Sequence, residues 1–145
     1  MALLNFYGAI QQVTGSCYLI ESRDGSRVLL ECGMRQGRRD AEEGNRAPFP
    51  FDPNSLNAVV ISHAHLDHSY TTAETEQALK LRRALDYGVQ QEVAPGVRLT
   101  YHDAGHILGA AIVELEVDDH HLTRRLVFSG DLGNGCSPLM HSPSI

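Results

Sequence analysis

The stretch Ala58-Val59-Val60-Ile61-Ser62-His63-Ala64-His65-Leu66-Asp67-His68-Ser69 decides how the chain is read. Its first four residues are a short, unbroken apolar run rich in β-branched side chains, which predicts a buried strand. Three histidines and an aspartate follow between positions 63 and 68, so ligand-type side chains sit on the loop leaving a core strand. Loops held by a rigid strand are where binding and catalytic groups are commonly placed. His63 and His65 are two apart, so in extended backbone they point the same way and can grip one ion. Asp67 and His68 come after the chain must turn and can face a second ion. Imidazole nitrogen with carboxylate oxygen suits zinc, with manganese or iron as alternatives.

Upstream, Leu3 to Tyr7 reads as a first strand, followed by Gly8 and the Thr14-Gly15-Ser16 turn. Cys17 to Glu21 reads as a second. Asp24-Gly25 is a strong hairpin signal that returns the chain as a third strand, Arg27 to Cys32, stopped by Gly33. Met34 to Asn57 is polar and punctuated by Pro48, Pro50 and Pro53, which predicts a loop with a short helical turn near Ala41. Downstream, the spacing predicts a helix over Thr71 to Tyr87. Thr71 and Glu74 have capping-box spacing, Gly88 is placed to end it, and Ala78, Leu79, Leu81 and Leu85 form an apolar stripe. Glu76, Lys80, Arg82 and Arg83 fall mostly outside that stripe, a solvated face rather than a binding patch. Val97, Leu99 and Tyr101 alternate with Arg98, Thr100 and His102, the pattern of a half-buried strand. Ala111 to Val117 and Arg125 to Phe128 make two more, joined through Asp118-Asp119-His120-His121.

A chain of 145 residues is long enough for one domain with a real core, and 42% hydrophobic with 21% charged residues describes an ordinary globular protein. No apolar run approaches the length of a membrane span, and the N-terminus lacks the basic flank of a signal peptide. Cys17, Cys32 and Cys136 are an odd number without zinc-type pairing, which fits buried thiols in a reduced, cytoplasmic setting. A net charge of −6 argues against a broad basic nucleic-acid surface. It does not argue against phosphate, because a metal cluster supplies local positive charge whatever the overall balance.

Two further signals repeat the logic of the first. Ala104-Gly105-His106-Ile107-Leu108-Gly109 places a histidine on a glycine-flanked turn between two strands. Ser129-Gly130-Asp131 follows an apolar strand with a bend and then a carboxylate. Three strand-end ligand groups in one small domain point to a single site. Together with Thr14-Gly15-Ser16, Glu31-Cys32-Gly33 and the following Leu132-Gly133, these elements occur in the order seen in the metallo-β-lactamase superfamily. The chain most resembles its β-CASP nucleases, the group of mRNA 3′-end-processing endonucleases and bacterial ribonuclease J. Ala47-Pro48-Phe49 and Pro138-Leu139-Met140 are similar to that group as well.

The resemblance implies an α/β (α+β) fold, the N-terminal portion of an αββα sandwich, with an antiparallel-rich mixed sheet and a helix on one face. Residues 1–145 would form a single, partial domain. His63, His65 and His106 would hold one zinc, Asp67 and His68 the other, and Asp131 would bridge the pair. A metal-bound hydroxide would attack phosphorus in line, with Asp67 orienting it and serving as the catalytic residue. Glu31 stands where the family usually has aspartate and would support the ligands from behind. The implied activity is zinc-dependent hydrolysis of phosphodiester bonds, with RNA as partner and substrate. Two alternatives stay open: a non-catalytic metal-binding fragment or assembly module, and a small-ester or thioester hydrolase of the same superfamily.

Three departures from the family pattern shape the remaining expectations. Several tens of residues that the family carries between the histidine cluster and the helix have no room between Ser69-Tyr70 and Thr71. The β-CASP insert is absent. The last histidine ligand of the second zinc has no counterpart, His141 being in the wrong place, so the second zinc site is expected to be incomplete and weaker. The strands suffice for one sheet with one covered face, which leaves Leu19, Leu29, Val113 or Leu115 in water and implies self-association or pairing with a missing C-terminal half.

Overall fold

The computed structural model describes residues 1–9, 14–37, 44–64, 76, 80–135 and 140–144. Among these residues eight strands make two four-stranded sheets. In the first, β1 (Leu3–Phe6), β2 (Tyr18–Glu21), β3 (Arg27–Leu30) and β4 (Ala58–Val60) lie in that order. The Asp24-Gly25 turn closes the β2–β3 hairpin, with Gly25 at φ +86 and the Ser22 N–H donating to the Ser26 carbonyl at 2.8 Å. β4 then joins β3 in parallel, Leu30 opposite Val60, so the long segment between them is a crossover. The second sheet is a meander of β5 (Gln91–Ala94), β6 (Val97–Asp103), β7 (Ala111–Asp119) and β8 (Leu122–Phe128), antiparallel throughout.

The pleat assigns each strand residue to a face. Ile20, Val28, Leu30 and Val60 from the first sheet meet Ala94, Val97, Leu99, Val113, Leu115 and Val117 from the second in one continuous core. On the outer face of the first sheet Leu19 and Leu29 are cross-strand partners. They are covered by Phe51 and Leu56 from the proline-punctuated segment. The outer face of the second sheet needs no cover, because it is polar. There Arg98 makes two hydrogen bonds to Asp118, at 2.7 and 3.0 Å, and a third to Glu116 at 3.3 Å. Arg125 pairs with Glu114 at 3.1 Å, and Glu114 also bonds His102 at 3.0 Å. The Arg98 guanidinium holds the Asp118 carboxyl below the usual carboxylate range.

The αββα class, antiparallel-rich and mixed, holds, and three finer expectations do not. First, there are two facing sheets rather than one. Leu19, Leu29, Val113 and Leu115 are all buried, and the exposed-face argument for self-association falls with the one-sheet reading. Second, the helix does not run to Tyr87. Glu76, Lys80 and Leu81 are helical, but residues 82–87 are not. Tertiary bonds outweigh helix propensity there: Tyr87 Oη donates to the Ala110 carbonyl at 2.9 Å, and Gly88 N–H to that of Tyr101 at 2.7 Å. Leu85 packs on the main core while Leu81 is exposed. Third, β5 was not expected at all. Thr71, Glu74, Ala78 and Leu79 lie outside the described residues, as do Ala41 and Cys136.

Candidate metal centre

Ile61, Ser62 and His63 are set by four bonds, one each with β6, β7 and the residue after β3 and one within the segment itself. The Tyr101 hydroxyl on β6 donates to the Ile61 carbonyl at 3.0 Å, which ties the end of β4 to the opposite sheet. Burial first, and the Glu31 charge second, push the Tyr101 hydroxyl up to about 12, so it remains a donor throughout the neutral range. The Ala111 N–H at the start of β7 donates to the Ser62 carbonyl at 2.8 Å. The Ser62 N–H donates to Glu31 Oε1 at 2.7 Å. Ser62 Oγ pairs with His63 Nδ1 at 2.8 Å, which fixes the ring with Nε2 on the side of Asp131.

Glu31 reaches Ser62 because the chain leaves β3 abruptly. The expected third strand ends at Leu30, and Glu31 takes φ 60, an uncommon conformation for a residue with a side chain. Its side chain is buried beside Ser62. Replacing it tests that support. Glu31→Ala strips the buried Ser62 N–H of its acceptor and is expected to cost about 1–3 kcal/mol, whereas Glu31→Gln keeps an acceptor and costs less. Urea unfolding of both variants checks the order, and midpoints unchanged from wild type would contradict it.

His106 and Asp131 arrive on two loops that touch through glycine. Ala104 N–H donates to the Ala110 carbonyl at 3.1 Å, closing the loop between β6 and β7 that carries His106. After β8 the chain bends at Gly130, φ +56, where an added Cβ would sit 3.0 Å from Ser62 Oγ. Gly133 N–H then donates to the Ala104 carbonyl at 2.8 Å, and a Cβ on Gly133 would overlap the Gly105 carbonyl. Between these two close approaches Asp131 is presented to both histidines. Its Oδ2 lies 3.7 Å from His63 Nε2 and 3.5 Å from His106 Nε2. The two imidazole rings stand at 90° with centroids 6.0 Å apart. Asp131 is the open side of the cluster, its side chain 53% exposed against 9% for His63.

Three of the six expected ligands are thus brought together: His63, His106 and Asp131. His65, Asp67 and His68 lie outside the described residues. Two imidazole nitrogens aimed at one carboxylate oxygen are the donor types a divalent transition metal takes. Among the described residues no three His, Cys, Asp or Glu side chains are grouped to hold an ion unaided. His102 is a strand-face residue bonded to Glu114, and His120 and His121 form the β7–β8 turn, as their sequence positions imply. The His141 carbonyl packs against Gly105. The positioning roles of Ser62 and Tyr101 escaped the sequence reading, although Ser62 directly precedes the histidines and Tyr101 falls on the buried phase of its strand.

The metallo-beta-lactamase superfamily model matches residues 10–85. The chain belongs to that superfamily. A ribonuclease of Thermus thermophilus, TTHA0252, is 34% identical over 179 positions, covering 96% of this chain and 40% of the relative. A transcription termination factor FttA of Methanothermobacter thermautotrophicus is 32% identical, covering 90% and 27%. Native FEZ-1 metallo-beta-lactamase from Legionella gormanii superposes with a TM-score of 0.54 at 18% identity, covering 88% of this chain and 60% of that one, a likeness of fold. The chain spans two fifths or less of these two curated relatives. The ribonuclease match is longer than the 145 residues available, so the relative carries positions inside it that have no counterpart here.

Proposed function

We propose that this metallo-beta-lactamase chain is the metal-holding part of a nuclease that hydrolyses phosphodiester bonds in RNA, of β-CASP type and cytoplasmic, with zinc as its metal. The observation that carries the reading is the convergence of His63 and His106 on Asp131 from three separate strand ends, in a chain 34% identical to a ribonuclease. His63, His106 and Asp131 would hold metal together with His65, Asp67 and His68. When bound, the metal supplies an activated water and neutralises charge on phosphate. The chain's own residues do the positioning. Glu31 fixes Ser62, Ser62 fixes the His63 ring, and the glycines at 130 and 133 let Asp131 reach both imidazoles. Asp67 is the residue proposed to orient the attacking water. Net charge of −6 makes the metals the source of attraction for a phosphate. Among the described residues no helix is long and apolar enough to cross a membrane.

A second reading, metal binding without turnover, is favoured by the positions missing from the ribonuclease match. One assay separates the two. End-labelled single-stranded RNA incubated with the zinc-loaded protein should be cut, with cleavage lost to a chelator and restored by added zinc. Intact RNA in the presence of protein-bound zinc would leave the metal-binding module instead.

A further inference from the structure

The β2–β3 hairpin carries a feature that the metal centre does not use. Along β2 and β3 the partners run from Glu21 with Arg27 to Tyr18 with Leu30. Beyond Leu30 the ladder slips by one residue: Gly33 N–H donates to the Ser16 carbonyl at 2.9 Å, where the earlier register would place Cys32. Glu31, at φ 60, is the extra residue of a β-bulge. The slip sets Cys32 directly opposite Cys17. The two thiols are also within hydrogen-bonding reach of each other, and opposed residues of an antiparallel pair hold their α-carbons about 4.5–5.5 Å apart, within the span of a disulfide. Neither cysteine is in a disulfide, and both are partly exposed and packed against the cluster of Leu19, Leu29 and Phe51. A hydrogen bond with Cys32, then burial, holds the Cys17 thiol far above the usual range.

We propose that Cys17 and Cys32 are a redox site, closing into an intramolecular disulfide on exposure to a peroxide-class oxidant. One thiol of the pair, as its thiolate, bonds through sulfur to one peroxide oxygen, the O–O bond breaks, and water leaves with a proton from solvent. The sulfur of the other thiol then attacks that sulfenic acid. The S–O bond breaks, the attacking thiol's proton departs with the hydroxyl as a second water, and the S–S bond remains. Two electrons pass from the thiol pair to the peroxide. The bond would clamp the bulge that aims Glu31 at Ser62, from the far side of the residues holding metal.

Hydrogen peroxide treatment of the native protein, followed by unreduced tryptic digestion and mass spectrometry, tests this. The expected product joins peptides 1–23 and 28–35, which contain Cys17 and Cys32, in monomeric protein. Two of the three thiols should disappear together while Cys136 persists, and dithiothreitol should restore both. Cys32→Ser should yield no joined peptide under the same treatment. Three outcomes would overturn the proposal: joined peptides that include 126–145, a link found only between two chains, or separate overoxidation of Cys17 and Cys32 without a joined peptide.

Discussion

Leu115→Ala should lower the unfolding free energy by about 3–5 kcal/mol. Leu115 is fully buried at the middle of β7, opposite Leu99 in register. Its side chain belongs to the cluster where Val28, Leu30 and Val60 of the first sheet meet the second. Truncation leaves a cavity between two sheets whose backbones are held by their own ladders and cannot close the gap. Against a total stability of roughly 5–15 kcal/mol, typical of a domain, that loss is a large fraction. Val59 provides the contrast. It lies on the outer edge strand, 52% exposed, so Val59→Ala should cost under about 1 kcal/mol. Urea titration of both variants measures the difference, and equal costs would mean the two sheets do not share a core.

On the proposed function, Asp131→Ala should lower zinc affinity and RNA cleavage on the order of 100-fold or more. His63 and His106 both aim Nε2 at its carboxylate, so its loss removes the group that joins them. The side chain is 53% exposed and outside the core, so folding should survive and the far-ultraviolet circular dichroism should not change. His102→Ala is the companion control, because that imidazole is engaged by Glu114 on the outer face of the second sheet. Cleavage by Asp131→Ala at the wild-type rate would remove Asp131 from the centre.

Much of this was legible from residues alone, for identifiable reasons. Ala58 to Val60 could be recognised as a strand from its apolar, β-branched run, so the residues that follow could be placed at a strand end. The expected burial does not hold: β4 is an edge strand in which Val60 is buried while Val59 and Ile61 are exposed. His106 and Asp131 could be placed the same way, each beside glycines that allow tight bends. Sheet partition was not legible from alternation, which shows that a residue is buried without showing against what. A signal existed in the consecutive apolar residues Leu19-Ile20 and Val28-Leu29-Leu30, since a strand apolar on both faces is covered on both. β5 was missed because Gln91-Glu92-Val93-Ala94 has no apolar alternation, and only the Pro95-Gly96 turn before β6 hinted at a hairpin. The helix end was misplaced because Tyr87 and Gly88 take partners in β6 and the loop after it, which no local pattern encodes. The Glu31 bulge was hidden for a similar reason: a glutamate gives no local sign of left-handed backbone.

The most direct measurement is elemental analysis of the purified protein beside a His63→Ala/His106→Ala double variant, both prepared without metal-affinity resin and dialysed against trace-metal-free buffer. Wild type should retain at least one zinc, or another first-row transition metal, per chain. The double variant should lose it while its urea midpoint shows that it remains folded. Equal, near-zero metal in both proteins, or undiminished metal in the double variant, would contradict a metal centre built on these two histidines.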